Sequence, residues 1–296
     1  MIARPVRRSD RLLVIGFLAP SLILLSVFVV GPVIGAFVFS LTNVSLTGPT
    51  ALNPQFVGLG NYTRLLGQAS FWEALQRSGI FVFASGIVGQ FVLGLAAALL
   101  LARTGVRGKG VFTTVILLPL VVPESVAALA WASMLAPGDL GTLNRLVELG
   151  GFAPIGWLQG NPMLSIIIVN TWRGIAFAMI LFTAALTAIP GDIYEAAHVD
   201  GANAWQLLTR ITLPLMKHAI VLYMLLTTIS TFAVFGLVYF LTRGGPGGQT
   251  TVMSVFIYEQ AFRFFAIGLG SAASVMMLGV VLAIGLIYVR LLRAQI

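Results

Sequence analysis

The side chains able to do chemistry are few. The chain has 296 residues, with 9 acidic side chains, 2 histidines and no cysteine. Without Cys there is no thiolate nucleophile, no disulfide and no thiolate metal ligand. His198 and His218 have no second His or Cys at metal-ligand spacing, so no metal is expected. The run Gly105–Gly110 (GVRGKG) lacks the GxxxxGK[ST] spacing of a phosphate loop, so this chain is not expected to hydrolyse ATP. What remains is polar groups set in apolar surroundings. Glu124 and Arg173 each interrupt a long apolar stretch. Either charge alone at a bilayer centre costs about 2.5–3.5 kcal/mol on insertion scales, so a pair is expected, as a structural salt bridge or as part of a solute pathway. Asn170, Arg173, Gly174 and Phe177 follow one another at helical spacing and share a face. Tyr223, Thr227, Ser230, Thr231 and Val234 cluster on a face of another segment. Amides and hydroxyls beside aromatic faces suit sugar rings, which carry polar edges and apolar C–H faces. Ordinary packing of small and hydroxylated residues between membrane helices is the alternative. Gln90 reads as an interhelical hydrogen-bonding group.

The elements that hold these groups must be membrane helices. Hydrophobic residues make up 58% and charged residues 9% of the chain, against roughly 25% charged in an average soluble domain. The mean hydropathy is +1.01. A soluble enzyme, a disordered chain and a nucleic-acid-binding domain are excluded, because too few charges exist to cover so much apolar surface. A span needs about 20 apolar residues. Leu12–Leu41, Ser78–Ala102, Val111–Ala136, Met163–Ile189, Ala219–Thr242 and Phe264–Val289 qualify, giving six predicted spans of an all-α membrane domain. The first is longer than one perpendicular crossing requires and is no cleaved leader, because no small-residue cleavage site follows it. Arg4, Arg7, Arg8, Arg11, Arg103, Arg107, Lys109, Arg210, Lys217, Arg290 and Arg293 all fall on the face carrying both termini. The positive-inside bias therefore puts both termini, and the net charge of +8, on the cytoplasmic side. The opposite loops are 42–77, with an amphipathic run near Phe56–Leu66, then 137–162 and 243–263. Trp72, Trp157 and Tyr258 are candidate interfacial anchors there. No soluble linker or short repeat appears, so residues 1–296 read as one transmembrane domain.

The loop after the fourth span, Pro190–Pro214, is PGDIYEAAHVDGANAWQLLTRITLP. It is no plain connector. Pro190 and Gly191 end the span. Asp192 is the expected N-cap of a short helix to Val199, with Glu195 completing a capping box. Ala196 and Ala197 would let another surface approach closely. Gly201 allows the positive φ of a sharp turn. Asn203 is placed to cap a second helix to about Thr212, and Pro214 suits the first turn of the helix entering span five. A helix–glycine–helix elbow on the inner membrane face is predicted. A capped amphipathic helix resting on the headgroups is the plainer possibility.

Glu195-Ala196-Ala197, the Asp200-Gly201-Ala202 turn and Ile211-x-Leu213-Pro214 together resemble the EAA motif of ABC importer permeases, in the variant of the sugar-uptake branch. FVGLGNY (Phe56–Tyr62), LLP (Leu117–Pro119) and LTRGGP (Leu241–Pro246) extend the resemblance over nearly the whole chain. The chain is thus similar to the MalF/UgpA-like carbohydrate permeases of type I, binding-protein-dependent importers. That resemblance implies a type I permease fold and a non-catalytic transport subunit in a prokaryotic cell (inner) membrane. It implies a second six-helix permease subunit, two ATP-binding subunits that hold ATP and Mg, and an extracytoplasmic solute-binding protein. It assigns Glu195, Ala196, Ala197, Asp200, Gly201, Ile211, Leu213 and Pro214 to coupling with the ATPase. Asn170-Thr171-Trp172-Arg173-Gly174 resembles the substrate-facing part of span four, and Phe232 and Phe235 resemble aromatic positions on span five. Glu124, Phe177, Thr227, Ser230 and Thr231 complete the pathway candidates. In this branch one of two sibling permeases often holds the substrate, and disaccharides, oligosaccharides and glycerol-3-phosphate are all carried. The competing class is an ion-coupled secondary transporter, which would show inverted repeats with binding groups in both halves. Pro119 and Pro123 break span three, but no second half mirrors them. An intramembrane enzyme would need a nucleophile or a metal site, and Glu124 with Arg173 supplies neither.

Overall fold

The structure, a computed structural model, describes residues 8–103 and 105–293, with side chains described for 15–103 and 105–291. Arg4 and Arg7 lie outside the described residues, as do the side chains of Arg8, Arg11 and Arg293. Among the described residues, four helices are long and apolar enough to cross a membrane, and up to six spans exist if each of two bent helix pairs is counted once. The long ones are α1 (Ile15–Ser40), α2 (Ala69–Ala102), α6 (Pro162–Thr187) and α11 (Ile267–Arg293).

The third predicted span is broken at Pro123, as expected, but runs unbroken through Pro119, and the fifth carries an interruption that was not expected. Val111–Ala136 is two helices, α3 (Lys109–Val121) and α4 (Glu124–Met134), which meet at 108°. Pro123 lacks an N–H and disfavours helix in the residue before it, so Val122 is extended, at ψ 126°, and a new helix starts at Glu124. Between α4 and α6 lies the short helix α5 (Thr142–Leu149). Ala219–Thr242 is also interrupted. Helix α9 (Lys217–Phe232) stops before Ala233, and α10 (Gly236–Thr242) begins anew. Ser254 Oγ donates to the Val234 carbonyl at 2.6 Å, which satisfies a backbone group freed by that break. Neither interruption shows in hydropathy, because both segments stay apolar throughout.

The chain forms two compact units, residues 1–68 with 257–277, and residues 69–256 with 278–296. In the first, the FVGLGNY segment is a latch. Asn61 Nδ2 donates to the Ser40 and Thr42 carbonyls at 2.8 Å each, capping the end of α1. The Tyr62 hydroxyl shares a hydrogen bond with Ser40 Oγ. In the second, α6 is the central post. Gly94 of α2 meets Ala178 so closely that a Cβ there would collide with it, and Gly174 of α6 meets the Gln90 amide in the same way. Small residues at these positions let the two helices lie almost backbone to backbone. Between Val82 and Gln90, α2 widens to π geometry. There the Tyr223 hydroxyl of α9 donates to the Gly86 carbonyl at 2.9 Å, and Gln90 Nε2 donates to the Asn170 carbonyl at 2.9 Å. Gln90 is the interhelical bridge expected of it.

Candidate functional site

Two places carry the polar chemistry. The first is the elbow, α7 (Gly191–Val199) followed by α8 (Ala204–Leu215). Gly201 has φ +75°, with its N–H donating to His198 O and the Ala202 N–H donating to Ala197 O. This pair of bonds is a Schellman motif, which ends α7 by satisfying its last carbonyls. The expected cap at Asp192 is corrected: Pro190 is the N-cap of α7, no side chain caps it, and Asp192 lies within the first turn. Proline there needs no N–H partner, and an acidic residue in the first turn still favours the helix dipole. The capping box sits one helix later. Asn203 Oδ1 accepts from Gln206 N, and Gln206 Oε1 accepts from Asn203 N, both at 2.9 Å.

The elbow is tied to itself and to the helices above. The Tyr194 hydroxyl shares a 3.2 Å hydrogen bond with Thr212 Oγ1, joining α7 to α8. Leu213 packs with Met216, Tyr223, Phe182 and Leu186 in one apolar cluster. Ile211 is half-buried and Pro214 exposed, in the short turn Leu213–Leu215 that ends at Met216. Pro214 therefore opens that turn rather than the span itself, which starts at Lys217 after a 70° bend. Ala197 is buried, whereas Glu195, Ala196, Asp200 and Gly201 face outward. Val199 and Trp205 are exposed too, at 88% and 71%. Trp205 drew no attention in the sequence, because it lies between motif positions.

The second place is the middle of α6. Arg173 Nη1 donates to Glu124 Oε1 at 2.6 Å, so the expected ion pair forms, with side chains 26% and 33% exposed. The remaining candidates divide. Asn170 is buried, and its amide donates to Ser85 Oγ at 2.8 Å. Asn170 and Gly174 thus face α2. Thr227 and Thr231 are buried around Gly86, where an added Cβ would lie 2.8 Å from Thr227 Cγ2. Phe177 stacks on Tyr223 with ring centroids 6.3 Å apart. Ser230 is exposed and donates to the Thr227 carbonyl of its own helix. Phe232 is buried. Val234 and Phe235 lie in the break after α9 and not on its face, and Phe235 stacks on Tyr239 at 5.1 Å. Two residues passed over in the sequence belong here. Gly236 opens α10 against Glu124, and Asn144 is a fully buried clamp in the 137–162 loop. Asn144 donates to the Ala136 and Ile155 carbonyls and accepts from Ile155 N and Trp157 Nε1. Trp157, read as an interfacial anchor, has its indole N–H committed to that clamp. Among the described residues, no cluster of three or more His, Cys, Asp or Glu could hold a metal ion.

An elbow of this build below a bundle of broken spans is the architecture of an ABC importer permease. In fold, the chain matches a bacterial ABC transporter involved in the import of the acidic polysaccharide alginate, with a TM-score of 0.80, 24% identity and 97% of this chain and 96% of that one covered. Residues 90–295 match the family described as "Binding-protein-dependent transport system inner membrane component", and the chain belongs to that family. Its relatives include permeases of sugar transport systems. The trehalose/maltose transport system permease protein MalF of Thermococcus litoralis is 35% identical over 280 residues, 93% of this chain and 91% of that protein. The trehalose transport system permease protein SugA of Mycobacterium tuberculosis is 35% identical over 289 residues, 97% and 91% of the two chains. The lactose transport system permease protein LacF of Rhizobium radiobacter is 35% identical over 254 residues, 84% and 83% of the two. The protein is a multi-pass membrane permease of a transport system, and the expectation of an all-α membrane fold holds.

Proposed function

We propose that this chain forms half of the pathway of an ATP-driven carbohydrate importer in a prokaryotic inner membrane. The whole chain acts as one permease domain with both termini cytoplasmic. A second six-helix permease completes the pathway, two ATP-binding subunits hold ATP and Mg, and an extracytoplasmic binding protein delivers the sugar. The chain itself is non-catalytic. Residues 190–214 transmit the motion of the ATPase. The observation that carries this reading is the elbow's construction: a Schellman turn at Gly201, a capping box at Asn203 and a half-buried Leu213 packed against the core cluster. A force passes through such a joint without being lost in loop bending. Outward-facing Glu195, Ala196 and Asp200 meet the ATPase, while Ala197, Ile211, Leu213 and Pro214 join the elbow to the span. In the pathway, Glu124, Arg173, Phe177, Ser230 and Phe235 are the accessible or half-buried groups. Asn170, Gly174, Thr227, Thr231 and Phe232 set the helix separation behind them.

The test is purification of the tagged chain from native membranes in mild detergent, followed by mass spectrometry and by uptake in proteoliposomes. Recovery of an ATPase and a second permease, with sugar uptake that needs ATP and the binding protein, is expected. A chain that purifies alone and moves solute down an ion gradient without ATP overturns the reading in favour of a secondary transporter.

A further inference from the structure

In the first compact unit, two outer segments are fastened to the ends of its spans. α1 ends at Ser40 and α11 begins at Ile267. The Val57 N–H donates to the Leu41 carbonyl at 2.8 Å. The Leu46 N–H donates to the Phe265 carbonyl, and the Gly268 N–H to the Val44 carbonyl, each at 2.9 Å. Residues 41–46, 55–57 and 262–266 are thus held where the two spans leave the hydrocarbon. The polar interface of a bilayer is about 5–7 Å deep on each side, enough to take them in.

What these segments present is apolar. Leu46, Leu59, Phe262 and Phe264 are exposed, and Phe56 is exposed at 76%. Val38 and Phe39, at the end of α1, are exposed as well, and no residue in the most apolar stretch of that helix is buried. The uncovered apolar surface of the span therefore continues into the loop beyond it. Phe265 carries a second sign. Its φ is +59°, a strained conformation for a bulky side chain. The Phe264 N–H donates to the Glu259 carbonyl and the Ala266 N–H to the Gln260 carbonyl. A helix end closed in this way takes a left-handed residue, as a rule glycine. Here a phenylalanine stands there with 45% of its surface exposed, so burial within the chain does not offset the strain.

The charge that faces outward is positive. Arg263 Nη1 pairs with Glu259 Oε1 at 2.8 Å, but the arginine side chain is 67% exposed and the glutamate 16%. The guanidinium also lies 5.9 Å from the centre of the Phe264 ring. Arg64 is exposed in the last turn of the short helix Gly60–Leu66. Rings at the end of a span, with arginines reaching past them, match acyl chains on one side and phosphodiesters on the other. Apolar surface of this extent needs a cover, and at this depth the lipid supplies it.

We propose that residues 44–59 and 262–265 form a collar seated in the outer-leaflet interface of the bilayer. Phe56, Phe262, Phe264 and Phe265 lie at the ester region of the acyl chains, and Arg263 and Arg64 reach the lipid phosphates. The collar goes beyond the permease reading and takes from it only which leaflet is meant.

The experiment uses the assembled wild-type transporter in vesicles of phosphatidylcholine and phosphatidylglycerol. Each sample carries one photoreactive lipid, with its diazirine on the headgroup, near the ester or at the chain terminus. After irradiation, adducts are mapped by mass spectrometry. The ester probe should label residues 56–59 and 262–265 at least fivefold more per residue than the polar loop 243–249, and the chain-terminus probe should label neither stretch. Phe264→Asp should cut ester-probe adducts over 262–265 at least threefold and leave those over 56–59 unchanged. Glu259→Gln/Arg263→Gln keeps the rings and drops both charges, so it should keep the ester-probe adducts over 262–265 and lose those of the headgroup probe. Headgroup adducts that persist there would overturn the role of Arg263. Wild-type stretches without ester-probe adducts, or with adducts that added binding protein removes, would overturn the collar and give this surface to the sibling permease or to the binding protein. Gln249→Cys, in a chain with no other cysteine, tests the orientation separately in cells. Labelling by an impermeant maleimide from the outside is expected. Labelling from the cytoplasmic side alone would overturn the choice of leaflet and the orientation beneath it, while the adduct map still decides the lipid contact.

Discussion

Gly201 offers the sharpest perturbation. Its φ of +75° lies in the left-handed region, and nothing stands within 4 Å of where a Cβ would be. A substitution there meets no steric neighbour, so the penalty is backbone strain alone. For an L-residue with a Cβ that strain is about 1–2 kcal/mol, larger for a β-branched side chain and smaller for asparagine, which visits this region readily. If the strain drives residue 201 out of the left-handed region, the Gly201→His198 and Ala202→Ala197 hydrogen bonds open, and α7 loses its angle to α8. A shift of that size changes the population of the closed elbow by about 5–30-fold. Amide exchange over residues 199–206 in the assembled complex reads this directly, and ATP-driven uptake reads its consequence. Gly201→Val should lose protection by that factor and uncouple ATP hydrolysis from uptake. Gly201→Ala should fall between, and Gly201→Asn should stay near wild type. Wild-type exchange and uptake in the valine variant, or an asparagine variant as damaged as the valine one, would refute the reasoning.

Three further outcomes follow from the packing. Gly94→Val should destabilise the chain by about 1–3 kcal/mol or more, because its side chain meets the Ala178 Cβ and the Ala178–Met179 backbone, which cannot swing aside; the midpoint of thermal unfolding in detergent measures this, and Gly79→Ala, in open space, is the neutral control. Asn144→Ala leaves the half-buried Ile155 N–H and Trp157 Nε1–H without their acceptor, at about 1 kcal/mol for each. The 137–162 loop should then become readily nicked by protease, and a loop as resistant as wild type would contradict the clamp. Tyr223→Phe removes only the bond to the Gly86 carbonyl and should cost about 0.6 kcal/mol, typical of interhelical bonds in membranes. A loss several times larger in the same unfolding measurement would mean that the π segment of α2 depends on that hydroxyl.

Much of this protein is legible in its sequence, because hydropathy and short-range backbone chemistry are local. The membrane class, the spans as apolar stretches, the sharp turn at Gly201 and the cap at Asn203 depend on residues within a few positions of one another. The Glu124–Arg173 pair was also foreseeable, because a lone charge at membrane depth demands a partner and only one was offered. The tertiary structure decided what local pattern leaves open. Asn170 and Arg173 share a helix face in the sequence, yet one donates to Ser85 of α2 and the other to Glu124 of α4, since neighbouring helices flank α6 on both sides. The break after Phe232 interrupts an apolar stretch without changing its composition, so hydropathy is blind to it, and the 108° angle at Pro123 is set by packing although the proline itself marks the break. Gly236 and Asn144 escaped notice for a related reason. A glycine gains meaning from the carboxylate that approaches it, and an asparagine from the four groups it joins. Those partners are brought together by packing between helices far apart in the chain for Gly236, and by closure of a loop for Asn144.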